Sequence, residues 1–278
     1  PPRSTLFPYT TLFRSPLFEL HVSQAQERSC LHVSMDLLLA DYRSISILME
    51  ELGILYEDPE TALTPLEVTF RDVVLAEKEL VGQDAWERDK SYWTDRLPAF
   101  PDAPALPVMS REVSPPRFAR RHTVLASAER DTLARRATDR GMTLGGAVLA
   151  VFAEVLGRWS ATNHFALNLT VLNRLPWHAD SMRLVGDFTS VNLLEVERRA
   201  GVAFADFARG LQGRLWEDLD HRLFGGVQVL RELGRHRGGA ALMPVVFTNT
   251  VGVGTAQDAR GFFQRGRLVH GISQTPQV

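Results

Sequence analysis

The chain has 278 residues, of which 45% are hydrophobic and 23% are charged, and its formal net charge is −2. This composition is ordinary for a globular protein with an apolar core, and it carries no electrostatic signature of nucleic-acid binding. A single cysteine, Cys30, excludes an internal disulfide and a cysteine-based zinc site, and it fits a cytoplasmic location. No apolar run reaches the roughly 18 residues that a membrane-spanning helix needs.

The first fifteen residues repeat a short unit, with "TLF" at Thr5–Phe7 and again at Thr11–Phe13. They have neither the apolar core nor the cleavage site of a secretory signal. The segment resembles a translated sequencing adapter, and the alternative is a targeting peptide. We therefore predict that residues 1–15 pack against nothing.

The next hundred residues predict a hairpin followed by helices. Alternating apolar and polar residues predict a strand at 17–23 and a second strand at 29–39. Helical periodicity follows at 43–58, and residues 66–97 predict a long helical region rich in charge pairs. Four prolines in residues 97–108 predict an extended crossing segment and a domain boundary.

The rest of the chain alternates helices and strands. Residues 120–141 predict a strand and then a helix, with Ser127 as its cap and Gly141 as its stop. Residues 143–159 are apolar nearly all round and predict a central buried helix. Further strands are predicted at 163–174, 187–197 and 243–253, and a further helix at 203–221. This interleaving indicates an α/β or α+β fold.

Two aspartates, Asp36 and Asp41, interrupt the apolar run "MDLLLADYRSISILMEEL", and Ser44 follows them. A buried carboxylate is costly unless it is paired or hydrogen-bonded. The pair is therefore locked structurally, functional, or both. Ser44 could cap the helix that follows.

Five segments in order resemble the heterocyclization domains of nonribosomal peptide synthetases, a branch of the condensation-domain superfamily. The first is "DLLLADYRS", which matches the family signature D-x4-D-x2-S. The others are "YWTDRLPAFPDAPALPV" at 92–108, "GDFTSVNLL" at 186–194, "PVVFTNTVG" at 244–252 and "SQTPQV" at 273–278. The resemblance covers residues 16–278. The family's earliest motifs are absent and its last motif is incomplete, which predicts a fragment, and Asn249 replaces a family serine.

The resemblance implies a two-lobed fold, each lobe like chloramphenicol acetyltransferase, with a tunnel where the lobes join. We expect residues 16–108 to be the remainder of a truncated N-terminal lobe and residues 109–278 to be the C-terminal lobe. The resemblance also implies that the domain condenses a carrier-bound acyl or peptidyl thioester with carrier-bound Cys, Ser or Thr. Cyclodehydration then gives a thiazoline or an oxazoline.

The expected partners are upstream and downstream peptidyl carrier proteins and an adjacent adenylation domain. The substrates are carried on the phosphopantetheine of those carriers, and we expect no cofactor or metal in the domain itself. We expect no nucleic-acid or membrane partner, and a cytoplasmic location.

The resemblance also implies roles for single residues. Asp41 is expected to pair with Arg174 and to be chiefly structural, whereas Asp36 is open between a structural and a catalytic role. Ser44 is expected to be a helix cap rather than a nucleophile. Thr248 is the preferred catalytic residue for cyclodehydration, and the alternative is a strand threonine bonded to a neighbouring carbonyl.

Four further polar residues and one thiol have weaker assignments. Gln274 could orient the amide or the thioester, or belong to an ordinary polar turn. Asp187 and Thr189 could line the tunnel, but a structural turn is favoured. Cys30 is expected in the core, and His32 in the core or at the tunnel edge.

Two other functions compete with this one. A truncated domain could only dock carrier proteins without catalysis, and the 278-residue chain alone is expected to be inactive. The chain could also be an ordinary condensation-type acyltransferase, but the H-H-x3-D-G signature of those enzymes does not occur in the sequence.

Overall fold

The computed structural model of the protein describes residues 16–108 and 121–251, which hold seven α-helices and five β-strands. The strands are β1 (Phe18–Gln24), β2 (Ser29–Met35), β3 (His164–Leu172), β4 (Thr189–Glu197) and β5 (Val246–Thr248). The helices are α1 (Tyr42–Glu57), α2 (Phe70–Leu80), α3 (Asp84–Thr94), α4 (Ser127–Thr138), α5 (Leu144–Trp159), α6 (Phe204–Asp220) and α7 (Gly226–Arg237). This mixture confirms the predicted α+β class. The predictions for residues 1–15 and for Gln274 lie outside the described residues.

The chain divides into two compact units. In the described part, unit 1 comprises residues 16–78 and 172–189, and unit 2 comprises 79–108, 121–171 and 190–251. The predicted boundary at residue 108 separates the two lobes of the family fold, and these lobes are not the same divisions as the two compact units. The boundary therefore stays a prediction.

Unit 1 begins with the predicted hairpin, in which β1 and β2 pair antiparallel. Apolar residues face each other across one side of the hairpin, at the pairs Phe18↔Met35, Leu20↔Val33 and Val22↔Leu31. The β1 side of this face is exposed, with Phe18 at 58% and Val22 at 70%. The sequence pattern therefore gives the right pairing, but nothing in the described part of the chain covers the β1 side of this apolar face.

The opposite side of the hairpin is polar and also exposed. It carries Cys30 opposite Ser23 and His32 opposite His21. Both Cys30 and His32 are exposed, so the core prediction is wrong for both, and the tunnel-edge alternative for His32 stays a prediction. Alternation placed them on one face, but that face has no second layer packed on it.

Unit 2 is built on a three-stranded sheet with strand order β4-β3-β5. β3 and β5 run parallel, and Thr170 lies opposite Thr248. Helices α5 and α6 pack on one face of the sheet through a core that includes Phe165, Leu167 and Leu169. Alternate residues of β3 point to the other face.

A second core lies on that other face of the sheet. Trp93 of α3 and Val229 of α7 are fully buried there beside Ala166 and Leu193. The segment that begins "YWTDRLP" thus supplies large apolar side chains to unit 2. Pro98 lies in a single 3-10 turn at Leu97–Ala99, and the other three prolines lie in the irregular backbone that follows it.

Three helix predictions need correction. The long helix predicted at 66–97 is two helices, because Gly82 between them adopts φ of 83°, a left-handed conformation that interrupts the helix. Helix α5 is not buried all round, since Val151 is 51% and Trp159 is 68% exposed. Ser127 is the first residue of α4 and not its cap, which is Ala126.

Helix α7 was not predicted, and the second strand is shorter than predicted. β2 ends at Met35, and a turn occupies the "DLLL" that follows. None of the helices in the described part of the chain is long and apolar enough to cross a bilayer.

Candidate functional site

Asp41 is the N-cap of helix α1 and is 1% exposed. Its Oδ1 accepts a hydrogen bond of 2.7 Å from the backbone N–H of Ser44, which is the N-cap contact that satisfies an unpaired donor of the first turn. The backbone N–H of Asp41 donates to the carbonyl of Gly186 at 3.2 Å. The aspartate is therefore fixed by both its side chain and its backbone.

Arg174 confirms the predicted ion pair. Its Nη2 lies 2.7 Å from Asp41 Oδ1 and its Nε lies 3.2 Å from Asp41 Oδ2, a two-point contact between planar groups. Nη1 donates to the carbonyls of Ser181 and Leu184, and Nη2 also donates to Ser44 Oγ. All five N–H groups of the guanidinium thus have acceptors, in a place where its side chain is 1% exposed.

Ser44 is part of the same cluster, but it is not the helix cap. Its Oγ donates to the carbonyl of Gly186 at 2.7 Å and accepts from the N–H of Gly186 at 3.0 Å and from Arg174 at 2.8 Å. A hydroxyl has one donor and two acceptor positions, so its capacity is used completely. Asp41 takes the capping role because it directly precedes the helix, whereas Ser44 lies inside the first turn. We call Asp41, Ser44, Arg174 and Gly186 the arginine cluster.

Asp36 is not in the arginine cluster. It is half-buried in the turn after β2, and its Oδ1 accepts a hydrogen bond of 2.9 Å from the N–H of Leu38. Leu37 and Leu38 beside it are 46% and 56% exposed. The apolar run that contains both aspartates is therefore buried only at its Asp41 end.

Asp187 and Thr189 form a local turn. Asp187 Oδ1 accepts from the N–H of Thr189 at 2.9 Å, which is the geometry of an aspartate turn. Asp187 is half-buried and Thr189 is exposed. These contacts support the structural turn that the sequence favoured.

Thr248 lies at the end of β5 in unit 2 and is exposed. Its Oγ1 donates to Oγ1 of Thr170 on the neighbouring strand at 2.9 Å. Among the described residues the Thr248 hydroxyl bonds to a side chain rather than to a backbone carbonyl, the sequence alternative, because the parallel register sets the two threonines side by side. Thr170 was not singled out from the sequence, although alternation in "FALNLTVL" places it on the polar side of β3.

Two asparagines, Asn168 and Asn249, lie close in sequence to the Thr170–Thr248 pair. Asn168 lies two positions before Thr170 on the same side of β3, is 8% exposed, and has an Oδ1 without a hydrogen-bond partner in the described residues. Asn249 follows Thr248, and its side-chain amide packs directly against Gly145 in the first turn of α5. The change from the family's serine to Asn249 thus fills space at a helix start.

A buried polar network lies elsewhere in unit 2. Asp218 is fully buried and accepts from Tyr92 at 2.7 Å and from Arg96 at 2.6 Å. Desolvation by burial raises the pKa of Asp218, and desolvation together with the hydrogen bond to Asp218 raises the pKa of Tyr92. Arg96 also donates to Glu195 at 3.0 Å. Tyr92 and Arg96 of the "YWTDRLP" segment are therefore held as structural groups.

No three His, Cys, Asp or Glu side chains group closely enough to hold a metal ion among residues 16–108 and 121–251.

The sequence has long relatives among the peptide synthetases. It is 42% identical over 266 residues to pyochelin synthetase PchF of Pseudomonas aeruginosa, an alignment that covers 95% of this chain and 15% of that protein. It is 40% identical over 254 residues to phenyloxazoline synthase MbtB of Mycobacterium tuberculosis, covering 91% of this chain and 18% of that protein. The chain thus spans less than a fifth of these relatives.

Solved structures share the fold. The cyclization-docking bidomain of the EpoB synthetase from Sorangium cellulosum matches with a TM-score of 0.76 and 37% identity, over 84% of this chain and 48% of that one. The synthetase FmoA3 in its α-methyl-L-serine-AMP bound form matches with a TM-score of 0.84 and 37% identity, over 95% of this chain and 29% of that one. The model of the Condensation domain family matches residues 9–269. The chain belongs to the condensation-domain family.

Proposed function

We propose that this chain is part of a heterocyclization domain of a nonribosomal peptide synthetase. It joins a carrier-bound acyl or peptidyl thioester to a carrier-bound Cys, Ser or Thr, and it then closes a thiazoline or oxazoline ring. The observation that carries the proposal is the 40% identity, over 91% of the chain, to a synthase named for an oxazoline product. The Asp36-to-Ser44 signature, in place of a histidine pair, supports it.

The reaction proceeds in two stages whose atoms balance. In the first, the acceptor's amine attacks the donor's thioester carbon, an amide forms, and the donor's phosphopantetheine thiol leaves with a proton. In the second, the acceptor's side-chain thiol or hydroxyl adds to the new amide carbonyl. The resulting hydroxyl leaves as water when the ring nitrogen loses its proton, and this requires a proton donor and a proton acceptor.

Thr248 is the residue of this chain that we assign to the second stage. Its hydroxyl is exposed at the end of β5 and is held in place by a side chain, which suits a group that orients a proton transfer. Gln274 is proposed to orient the amide or the thioester.

The arginine cluster is proposed to support the site without taking part in proton transfer. Asp41, Ser44 and Arg174 are buried and have their hydrogen-bonding groups occupied by one another and by backbone. Asp36 keeps a half-buried carboxylate whose Oδ1 accepts one hydrogen bond, and it stays the alternative catalytic residue.

The partners belong to the same proposal. Upstream and downstream peptidyl carrier proteins present the two thioesters on phosphopantetheine, and an adjacent adenylation domain loads the acceptor. The proposed location is the cytoplasm, and no resident cofactor, metal, nucleic acid or membrane takes part.

The test follows the carrier-bound product in the synthetase that contains this chain. The donor carrier receives an aminoacyl thioester, and the acceptor carrier receives a cysteinyl, seryl or threonyl thioester in turn. Mass spectrometry separates the linear amide from the ring product, because ring formation removes one water. We expect the wild type to give the ring product with at least one acceptor.

Replacement of Thr248 by Ala should separate the two stages. We expect amide formation to persist and ring closure to slow by about a hundred-fold or more, the range for loss of a general acid–base contribution. An amide that never loses water in the wild type would indicate an ordinary condensation domain, and no condensation at all would indicate a docking domain. Equal loss of both stages in Thr248→Ala would make Thr248 a packing residue.

A further inference from the structure

We infer that Thr170 is a positioning residue for the water-removing stage of the reaction, acting only through Thr248. This inference rests on the proposed function and names a residue that the sequence motifs leave out. Thr170 lies on β3, outside the "PVVFTNTVG" segment that contains Thr248.

The geometry of the pair is specific. Thr170 and Thr248 are register partners across the parallel strands, and their hydroxyl oxygens are 2.9 Å apart. Both are β-branched residues, so each side chain has few rotamers in a strand. A hydrogen bond between two such side chains fixes the direction of the Thr248 hydroxyl much more closely than water would.

The two threonines differ in exposure, and the difference fits a positioning role for Thr170 and a substrate-facing role for Thr248. Thr170 is half-buried on the strand between β4 and β5, whereas Thr248 is exposed on β5. The exposed member is the one that can reach a bound substrate, and the half-buried member is the one that can support it. Thr170 is therefore a positioning residue and not a catalytic one.

The hydrogen bond between the Thr170 and Thr248 hydroxyls can run in either direction. Two hydroxyls share one hydrogen bond, so one proton is engaged between them and the other is free. When Thr248 donates its proton to Thr170, the lone pairs of the Thr248 oxygen can still accept a hydrogen bond from another group. When the bond reverses, Thr248 can donate its own proton. Without Thr170, Thr248 loses the support that keeps either state aligned.

The local structure does not need the Thr170 hydroxyl for folding. The backbone of β3 is held by the ladder to its neighbours, including the bond from Asn168 N–H to the Val245 carbonyl at 3.0 Å. Valine has nearly the same shape as threonine and an equal or better tendency to form strands. Thr170→Val thus removes one hydroxyl and leaves the strand intact.

The experiment measures amide formation and ring closure separately, in the synthetase that contains this chain and with the acceptor that the wild type cyclises fastest. We expect Thr170→Val to slow ring closure by between about ten-fold and a hundred-fold while amide formation stays at the wild-type rate. Thr170→Ser keeps a hydroxyl and should close rings within about three-fold of the wild type, because serine can make the same bond. If Thr170→Val does not fold, Thr170→Ala takes its place in the comparison, because alanine also lacks the hydroxyl.

A double variant tests whether Thr170 acts through Thr248. On a Thr248→Val background, adding Thr170→Val should slow ring closure no further, since the group being positioned is already absent. Additive slowing, equal slowing of both stages, or a Thr170→Val variant that closes rings at the wild-type rate would each overturn the inference and leave the proposed function standing. A wild type that forms only the linear amide would overturn the proposed function itself, and the inference with it.

Discussion

The two aspartates of the D-x4-D-x2-S signature lie in different environments. Asp41 is buried against the guanidinium of Arg174, and Asp36 is half-buried in a turn where its Oδ1 accepts a hydrogen bond from the backbone N–H of Leu38. A buried charge without its partner is strongly unfavourable, whereas a carboxylate in a surface turn has water as an alternative partner. The signature therefore combines Asp41, which stabilises the structure through a buried ion pair, with Asp36, whose half-buried carboxylate accepts a hydrogen bond in a turn.

Asp41→Asn should lower the free energy of unfolding by about 3–5 kcal/mol, because the change leaves the Arg174 charge buried and unpaired. Asparagine still caps a helix well, so loss of the cap does not explain such a change. Denaturant unfolding of the protein measures the effect, and the yield of soluble protein should fall with it.

Asp36→Asn is the matched control. An asparagine side chain can accept the same hydrogen bond from Leu38, so the free energy of unfolding should change by less than about 0.5 kcal/mol. If Asp41→Asn keeps the wild-type stability while ring formation is lost, Asp41 is catalytic and its structural role is wrong.

Glu195 should make the free energy of unfolding depend on pH. Burial opposes its charge, but hydrogen bonds from Arg96 and His164 more than offset this and lower the pKa of Glu195 below 4.5. A carboxylate whose pKa is lowered on folding stabilises the protein above its unfolded pKa and loses this effect as the pH falls through the folded pKa. Glu195→Gln should therefore be less stable than the wild type near neutral pH, and the difference should shrink as the pH falls below about 4.5.

Unfolding free energies at a series of pH values check this prediction. Glu217→Gln serves as the control, since the ion pair of Glu217 in the described residues, with Arg214 on helix α6, is exposed. Its difference from the wild type should stay within about 0.5 kcal/mol at every pH. Parallel loss of stability in the wild type and in Glu195→Gln on acidification would contradict the role of Glu195.

At the scale of elements, the sequence predicts best where the pattern is local. The alternation of "LFELHVS" and the periodicity of "RSISILMEELGILYED" predict β1 and α1 to within one residue at each end. Helix α7 was missed because its start, "GGVQ", has the glycines of a loop. Gly226 is glycine for packing, since a Cβ there would lie 2.5 Å from the carbonyl oxygen of Val191 on β4. Such a contact joins distant parts of the chain and leaves no local pattern.

In the candidate site, too, contacts between distant parts of the chain were hard to predict from the sequence. Asp41 and Arg174 are 133 residues apart in sequence, and only the family resemblance joined them. Thr170 is 78 residues from Thr248 and was not identified, because the parallel pairing of β3 and β5 follows from tertiary structure alone. Residue type and strand alternation indicate which side chains are polar and share a face, but they do not say which strand lies alongside.

Two glycines give opposite predictions at the element scale. Gly82 adopts φ of 83° between α2 and α3, and Gly210 lies inside α6, and a Cβ on either would have open space within 4 Å. Gly82→Ala should therefore destabilise the protein by about 1–2 kcal/mol through backbone strain alone. Gly210→Ala should stabilise it by up to about 1 kcal/mol through helix propensity. Equal signs in thermal or denaturant unfolding would contradict the conformational explanation.

At the scale of the whole molecule, the two cores of unit 2 contrast with the open hairpin of unit 1. Phe165, Leu167 and Leu193 of the sheet are fully buried, whereas every residue of β1 is exposed. Large exposed apolar faces and unpaired strand edges favour association between copies of a chain.

The 278-residue chain should therefore self-associate through the hairpin, and Leu20→Lys should reduce this. Leu20 is 48% exposed in the centre of the apolar side, so a lysine there places a charge on the associating face and leaves the buried cores untouched. Ser23→Lys is the control, because it adds the same single charge on β1 but on the polar side. Sedimentation velocity over a range of concentrations should show less association for Leu20→Lys and a wild-type pattern for Ser23→Lys. If both lysine variants change association equally, net charge is the cause, and the apolar face of the hairpin is not the contact.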